Sequence, residues 1–272
     1  DRYADVVAVQ YFAAGMFRQR ETLHRLLGER FPGARLFWFA EERIQKQESF
    51  DCHPPQAPEP FVIEENGLRF HVAPGNKHKT GFFNDQRDNR RMLAEFTNGK
   101  TVADLCCNSG GFAIYAKARG HAGEVVGVDL DEDVLRLAER NARLNSAQVD
   151  FVQDDIFNWM RVAADTKKNY DVVILDPAKQ TRNREEIAKA LRKYCDMNRL
   201  AMGIIKPGGI LLTCSCTGLV SEVDFLESIR RAAWQAGRQV QIFQVTGAGA
   251  DHPYMLQVPE GRYLKAVWCR VL

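Results

Sequence analysis

The stretch Thr101-Val102-Ala103-Asp104-Leu105-Cys106-Cys107-Asn108-Ser109-Gly110-Gly111 decides the fold. An apolar run carrying one acid passes through small and polar residues into a glycine pair, and 112–118 continue at helical spacing. Strand, glycine turn and helix start is how α/β proteins hold nucleotide-like ligands. Glycine lets the backbone come close, and the helix start offers unpaired N–H groups and partial positive charge. The spacing is neither G-x-G-x-x-G nor a phosphate loop, which needs a Lys followed by Ser or Thr. A second apolar run, 124–129, ends in Asp129, and a carboxylate at the tip of a second strand suits a ribose diol.

Outward from this core the chain alternates strands and helices. Strands are expected at 102–106, 124–129, 149–153, 170–176, 209–214, 240–246 and 263–271, with helices between most of them, notably 133–145 and 184–205. Such repetition implies a mainly parallel sheet covered on both faces. No helix separates the last two strands, so the final one is expected to run antiparallel. Upstream, 5–11 alternate apolar residues, 15–30 carry a helical pattern, 35–39 form a short strand, and 47–60 hold four prolines and read as a loop. Asn66-Gly67 between the apolar runs 61–63 and 68–72 signals a hairpin. The polar segment 75–91, with Phe82-Phe83 among many donors, is expected to form the lip of a ligand cleft and to lead into a helix at 88–96. Two domains follow: 1–74, small and α+β, and 75–272, which carries the main sheet.

Composition bounds the function. With 272 residues, 45% of them apolar, the chain can bury a large core. No apolar run approaches the ~18–20 residues that span a bilayer, and the start has no signal-peptide pattern, so the cytoplasm is expected. Seven cysteines without a C-x-x-C pair indicate free thiols rather than a disulfide framework or zinc site. A formal charge of +2 excludes a wholly basic nucleic-acid binder but leaves room for local basic clusters on a phosphate backbone. The chain opens at Asp1 without an initiator Met, which suggests a fragment.

Seven strands with an antiparallel last one resemble the Rossmann-like class I methyltransferases. In that setting Asp155, just past the third strand, stands where such enzymes accept from an adenine amino group, and it suits equally an N-cap of the helix 157–163. The fourth strand ends in Leu175-Asp176-Pro177-Ala178-Lys179, at the switch point where substrates sit. The fifth closes with Cys214-Ser215-Cys216-Thr217-Gly218. A thiol beside an Asp-Pro turn at the ligand edge of such a sheet is what methylation of a pyrimidine carbon needs. Carbon 5 of cytosine is a poor nucleophile until a thiolate adds at carbon 6. A free thiol titrates near ~8.5, so a neighbouring positive group is required. Strand alternation puts both thiols on one face, Cys214 deeper and Cys216 nearer the edge, and leaves the role of Cys214 open.

Further motifs sharpen the resemblance. They are Asp1-Arg2-Tyr3, the block 78–87 (His-Lys-Thr-Gly-Phe-Phe-Asn-Asp-Gln-Arg), the glycine turn, Asp176-Pro177, Ser215-Cys216-Thr217-Gly218, Ala250-Asp251-His252-Pro253 and Pro259-Glu260-Gly261. Together they resemble the single-chain large-subunit ribosomal-RNA cytosine-5 methyltransferases, which normally carry an N-terminal PUA domain that would precede Asp1. The resemblance implies S-adenosylmethionine as methyl donor, Cys216 as nucleophile, and Asp176 as the acid that meets the base's N3 and amino group. It implies cofactor contacts from Lys79, Thr80, Phe83, Gln86, Arg87, Asn108, Ser109, Gly110, Gly111, Asp129, Leu130, Asp154, Asp155, Ile156, Asp176 and Pro177. Ribosomal RNA is the expected partner, met by Lys77, Lys79, Lys179, Arg182, Arg184 and His252. Neither metal nor membrane is expected, and homodimerisation stays open. Competing readings are an RNA uridine-5 methyltransferase, an amino-group methyltransferase, in which Cys216 would be inert, and an RNA-binding module with a dead cofactor fold.

Overall fold

The computed structural model describes residues 1–74 and 80–272. They form two compact units, Asp1–Phe83 and Asn84–Leu272.

In the first unit, strands β1 (Arg2–Tyr3), β2 (Val6–Gln10) and β3 (Arg35–Phe39) make a small sheet, with β2 and β3 parallel. The helical pattern at 15–30 is two helices, α1 (Ala14–Arg18) and α2 (Arg20–Arg30). They meet at Gln19, and Phe17 near the end of α1 stacks on Phe50 and stands edge-on to Tyr11. A third helix, α3 (Glu42–Glu48), precedes the proline-rich loop. Strands β4 (Phe61–Glu65) and β5 (Leu68–Val72) form the expected hairpin, and Asn66 and Gly67 both take the positive φ its turn requires.

The second unit is a seven-stranded sheet in the order β11-β12-β10-β9-β6-β7-β8. Its strands are β6 (Thr101–Leu105), β7 (Glu124–Asp129), β8 (Asp150–Gln153), β9 (Tyr170–Leu175), β10 (Ile205–Ser215), β11 (Val240–Thr246) and β12 (Lys265–Val271). The five strands β6 to β10 are parallel and β12 runs antiparallel to both its neighbours, as the alternation predicts. Side-chain alternation divides the core into two layers. Val102, Val172, Ile174, Leu212, Cys214 and Trp268 face one side with Phe112 and Ala116. Ala103, Leu105, Val173, Leu175, Leu211 and Val267 face the other, under Met160, Tyr194 and Phe225. Those last three belong to helices α7 (Ile156–Asp165), α8 (Ile187–Gly203) and α9 (Glu222–Gln235). The remaining helices are α4 (Arg87–Leu93), α5 (Gly111–Ile114, continued by the wider-wound Tyr115–Arg119) and α6 (Glu132–Leu144).

Several boundaries differ from the sequence reading, among them those of α8 and β10. Helix α8 starts at Ile187, after a separate tight turn at Arg184–Glu186. Strand β10 begins at Ile205 instead of 209, because Ile205 already pairs with Tyr170 before the register shifts. Gly209 lies within that shift, where a Cβ would lie 2.7 Å from Ile205 Cγ2 and 2.8 Å from the Asp171 carbonyl. Among the described residues no helix is long and apolar enough to cross a membrane.

Candidate active site

The carboxyl ends of β6, β7, β9 and β10 converge on one edge of the sheet, and backbone bonds lock their tips together. The Cys107 N–H donates to the Val128 carbonyl at 3.0 Å, Asp154 to Asp129 at 3.1 Å, and Asp176 to Leu105 at 3.3 Å. The turn after β6 is tightly wound, with Cys106, Asn108 and Gly110 all at positive φ. Asn108 is held by Asp129, whose Oδ2 accepts from its N–H at 2.9 Å, while Asp129 Oδ1 accepts from Asp131 at 3.1 Å. Both carboxylate oxygens are therefore aimed by backbone donors, and each keeps further lone-pair capacity for a ligand. The Ser109 carbonyl accepts from buried Asn141 at 3.0 Å. Leu130, beside Asp129, is 67% exposed at the rim.

The glycine pair has a reason the sequence reading did not contain. A Cβ on Gly110 would lie 3.1 Å from Phe151 and 3.2 Å from Ala138, and one on Gly111 would lie 3.1 Å from Arg90 Cδ. The positions are small because Phe151 and the buried Arg90 pack over them, in addition to the positive φ at Gly110.

Asp104 went unassigned at the sequence level, although it is the one acid inside the first apolar strand. It is 1% exposed; its Oδ2 accepts from the Ala113 N–H at 2.9 Å, and its Oδ1 meets no donor among the described residues. Burial, with the charges of Asp176 and Asp129 adding, pushes its carboxyl up to about 8. Burial acts likewise on Cys106 and Cys107, whose thiols are raised far above the range of a reactive cysteine.

Of the two expected cofactor acids past β8, Asp155 caps α7, accepting from Phe157 at 2.9 Å and Asn158 at 3.3 Å. Asp154 Oδ1 accepts from the Asp155 N–H at 2.8 Å, and both its oxygens accept from Asn158 Nδ2 at 3.1 Å. Ile156 is buried as the first residue of that helix. The capping alternative for Asp155 is thus realised.

On β10, Cys214 is wholly buried in the core, whereas Cys216 lies just beyond the strand and is partly exposed. The Cys216 Sγ is 3.8 Å from the Pro177 carbonyl, which joins the thiol to the Asp176-Pro177 turn. The loop that carries it is pinned from three sides. Gln180 N–H donates to Thr217 Oγ1 at 3.0 Å, Tyr194 OH shares a 2.8 Å bond with the same hydroxyl, and Lys265 Nζ donates to the carbonyls of Thr217 and Val220, each at 2.8 Å. Lys265 is 3% exposed. Burial pushes its ammonium down to about 8, opposed by the negative charges of Cys216 and Glu222. The same coupling means that the charge of Lys265 acts on Cys216 across this loop. No sequence motif singled it out, because Lys265 meets the loop only through the antiparallel pairing of Ser215 with Lys265.

The block 84–90, expected at the lip of a cleft, clamps the long connection from β11 to β12. Tyr263 OH donates to Asp85 Oδ2 at 2.6 Å, the Gly249 N–H to the Asp85 carbonyl at 3.0 Å, and Arg87 pairs with Asp251 at 2.8 Å. Gln86 Nε2 donates to Asp176 Oδ2 at 3.0 Å. Thr80 and Phe83 belong to the first unit, where Thr80 is buried and hydrogen-bonded to Tyr3 at 2.8 Å and to Asp1. Phe82 is also buried there, 5.0 Å from Phe70, so it is core rather than lip. Lys77 and Lys79 lie outside the described residues. Lys179, Arg182 and Arg184 are exposed, and His252 sits against Asp251 at 3.1 Å.

The family model described as S-adenosylmethionine-dependent methyltransferase matches residues 41–240. The chain belongs to that family. It is an S-adenosylmethionine-dependent methyltransferase with the expected seven-stranded architecture. It is 38% identical over 279 residues to the ribosomal RNA large subunit methyltransferase I of Aeromonas hydrophila, covering 99% of this chain and 70% of that protein. Its identity to the protein of the same name from Shewanella amazonensis is 38%, over 100% and 70%. A methyltransferase solved in complex with SAH superposes with a TM-score of 0.85 at 22% identity, covering 98% of this chain and 70% of that one, a likeness of fold. The edge fits this methyltransferase's cofactor. It offers an oriented carboxylate at the end of β7 and a buried polar atom, Asp104 Oδ1, that has no hydrogen-bond partner among the described residues. Among the described residues no group of three or more His, Cys, Asp or Glu side chains is arranged to hold a metal ion.

Proposed function

We propose that this methyltransferase acts on carbon 5 of a cytosine in large-subunit ribosomal RNA, through a covalent adduct with Cys216. The observation that carries this reading is the meeting of a partly exposed thiol and an acid on one turn: Cys216 Sγ stands 3.8 Å from the Pro177 carbonyl, next to Asp176. The names of the curated relatives support the RNA class. The turn 108–111, Asp129, Asp155 and the face of Asp176-Pro177 hold the cofactor, which supplies an electrophilic methyl group on a sulfonium.

In this reaction the Cys216 thiolate forms a bond to carbon 6, and the ring's electrons move to carbon 5, which becomes an enamine carbon able to attack the methyl. Asp176 stabilises the adduct at N3 and the exocyclic amine. After transfer, a base removes the proton from carbon 5, the Cys216–carbon 6 bond breaks, and the thiolate is restored. The charged Lys265 favours the thiolate at both ends of the cycle.

Two results test the cofactor and RNA assignments. Asp129→Ala is expected to weaken S-adenosylmethionine binding, measured by calorimetry, by about 1.5–3 kcal/mol, the worth of a hydrogen bond to a charged group. Binding as tight as that of the parent chain removes the ribose assignment. RNA affinity is expected to fall with salt, since Lys179, Arg182 and Arg184 are exposed beside the proposed site. Three single-stranded phosphate contacts give a log–log slope of about −2. A flat salt profile would assign these residues to a solvated basic face.

A further inference from the structure

A line of hydrogen bonds runs from the sheet core to Asp176. Trp268 Nε1 donates to Thr246 Oγ1 at 3.0 Å, Thr246 Oγ1 donates to Asn89 Oδ1 at 2.6 Å, Asn89 Nδ2 donates to Gln86 Oε1 at 2.6 Å, and Gln86 Nε2 donates to Asp176 Oδ2 at 3.0 Å. Trp268, Asn89 and Gln86 are 0%, 2% and 2% exposed. The members come from β12, the end of β11, α4 and the turn before it, so no stretch of sequence contains the line.

Its direction is determined at one end. An indole nitrogen only donates, so Thr246 Oγ1 must accept there and spend its own proton elsewhere. The Asn89 carbonyl oxygen at 2.6 Å is a nearer acceptor than the Ala266 carbonyl at 3.4 Å. With its oxygen so occupied, Asn89 turns its NH₂ group to Gln86 Oε1 and to the Gly247 carbonyl at 3.2 Å. Gln86 is thereby obliged to present its own NH₂ group to Asp176. Each link polarises the next in a water-poor interior. A glutamine without this backing is free to flip, and its flipped form sets one oxygen against another at Asp176.

We propose that Trp268, Thr246, Asn89 and Gln86 form a one-way relay that orients the Asp176 carboxylate for methyl transfer, with Gln86 as the terminal positioning residue. This rests on the reading of Asp176 as the acid that meets the base. It assigns Gln86, expected from sequence to touch the cofactor, to holding that acid.

Thr246→Val tests it, because valine keeps the shape and deletes the hydroxyl that sets the direction. With in vitro transcribed large-subunit ribosomal RNA and labelled S-adenosylmethionine, kcat is expected to fall about 10- to 100-fold, the cost of a catalytic group displaced by about 1 Å, with KM for S-adenosylmethionine unchanged. Thr246→Ser, which keeps the hydroxyl, is expected to recover most of that loss. A wild-type kcat in Thr246→Val beside an inactive Asp176→Ala overturns the relay, and so does a Thr246→Ser enzyme as slow as Thr246→Val. A fully active Asp176→Ala instead overturns the assignment of Asp176. The relay is then decided without RNA by nuclear magnetic resonance: the Gln86 side-chain amide signals are expected to shift in Thr246→Val and to stay in Thr246→Ser, and unmoved signals in Thr246→Val refute it.

Discussion

Cys216→Ala is expected to abolish methyl transfer while leaving S-adenosylmethionine binding intact. The thiol lies beyond the end of β10, partly exposed, on a loop whose own anchors are Tyr194, Gln180 and Lys265, and none of these bonds passes through its sulfur. Its removal therefore deletes chemistry and spares the fold. Cys214→Ala has the opposite signature. That side chain is wholly buried, and removing a buried group costs packing energy, of order 1 kcal/mol for so small a side chain, with transfer retained. The two residues stand on neighbouring positions of one face, and a strand rises roughly 3.3 Å per residue, so only one of them reaches carbon 6. Ribosomal RNA carrying 5-fluorocytosine at the target is expected to trap the enzyme, because fluorine cannot leave carbon 5 as a proton and the sulfur–carbon bond then stays closed. Peptide mapping of the adduct to Cys214, or activity in Cys216→Ala, would reverse the assignment.

Asp104→Asn is expected to flatten the dependence of stability on pH. The folded protein holds the Asp104 carboxyl at about 8, first because it is buried, whereas the same group in the unfolded chain titrates near 3.8. Between these values the folded state keeps a proton that the unfolded state has released. Stability contributed by the neutral form is thus complete below about pH 4, falls as pH rises, and levels off above about 8. The slope is at most about 1.4 kcal/mol per pH unit for one proton. Asparagine retains an oxygen for the Ala113 N–H and carries no charge at any of these pH values. Urea unfolding of both cofactor-free proteins across pH 4 to 8 reads the difference. Parallel curves would show that Asp104 is ionised in the fold.

Local sequence was sufficient wherever the structure is set by neighbours along the chain. The glycine turn after β6, the Asn66-Gly67 hairpin, the Asp155 cap and the strand alternation each depend on backbone preferences or a period of two or 3.6, which a short window contains. The antiparallel last strand followed from a missing helix. The position of Cys216 beyond a buried Cys214 followed from strand alternation. Tertiary structure alone decided what the polar groups of the edge do. Gly110 and Gly111 are small because Phe151 and Arg90, distant in sequence, pack over them. Gln86 and Arg87 look alike as donors in a polar block, yet one reaches Asp176 and the other Asp251. Lys265 meets the Cys216 loop only because β12 returns antiparallel beside β10. The elevated carboxyl of Asp104 arises from burial under elements that a strand's own residues do not specify. Periodicity states which face of an element is buried; desolvation and hydrogen-bond partners are properties of what covers that face, and they exist only once the chain has closed.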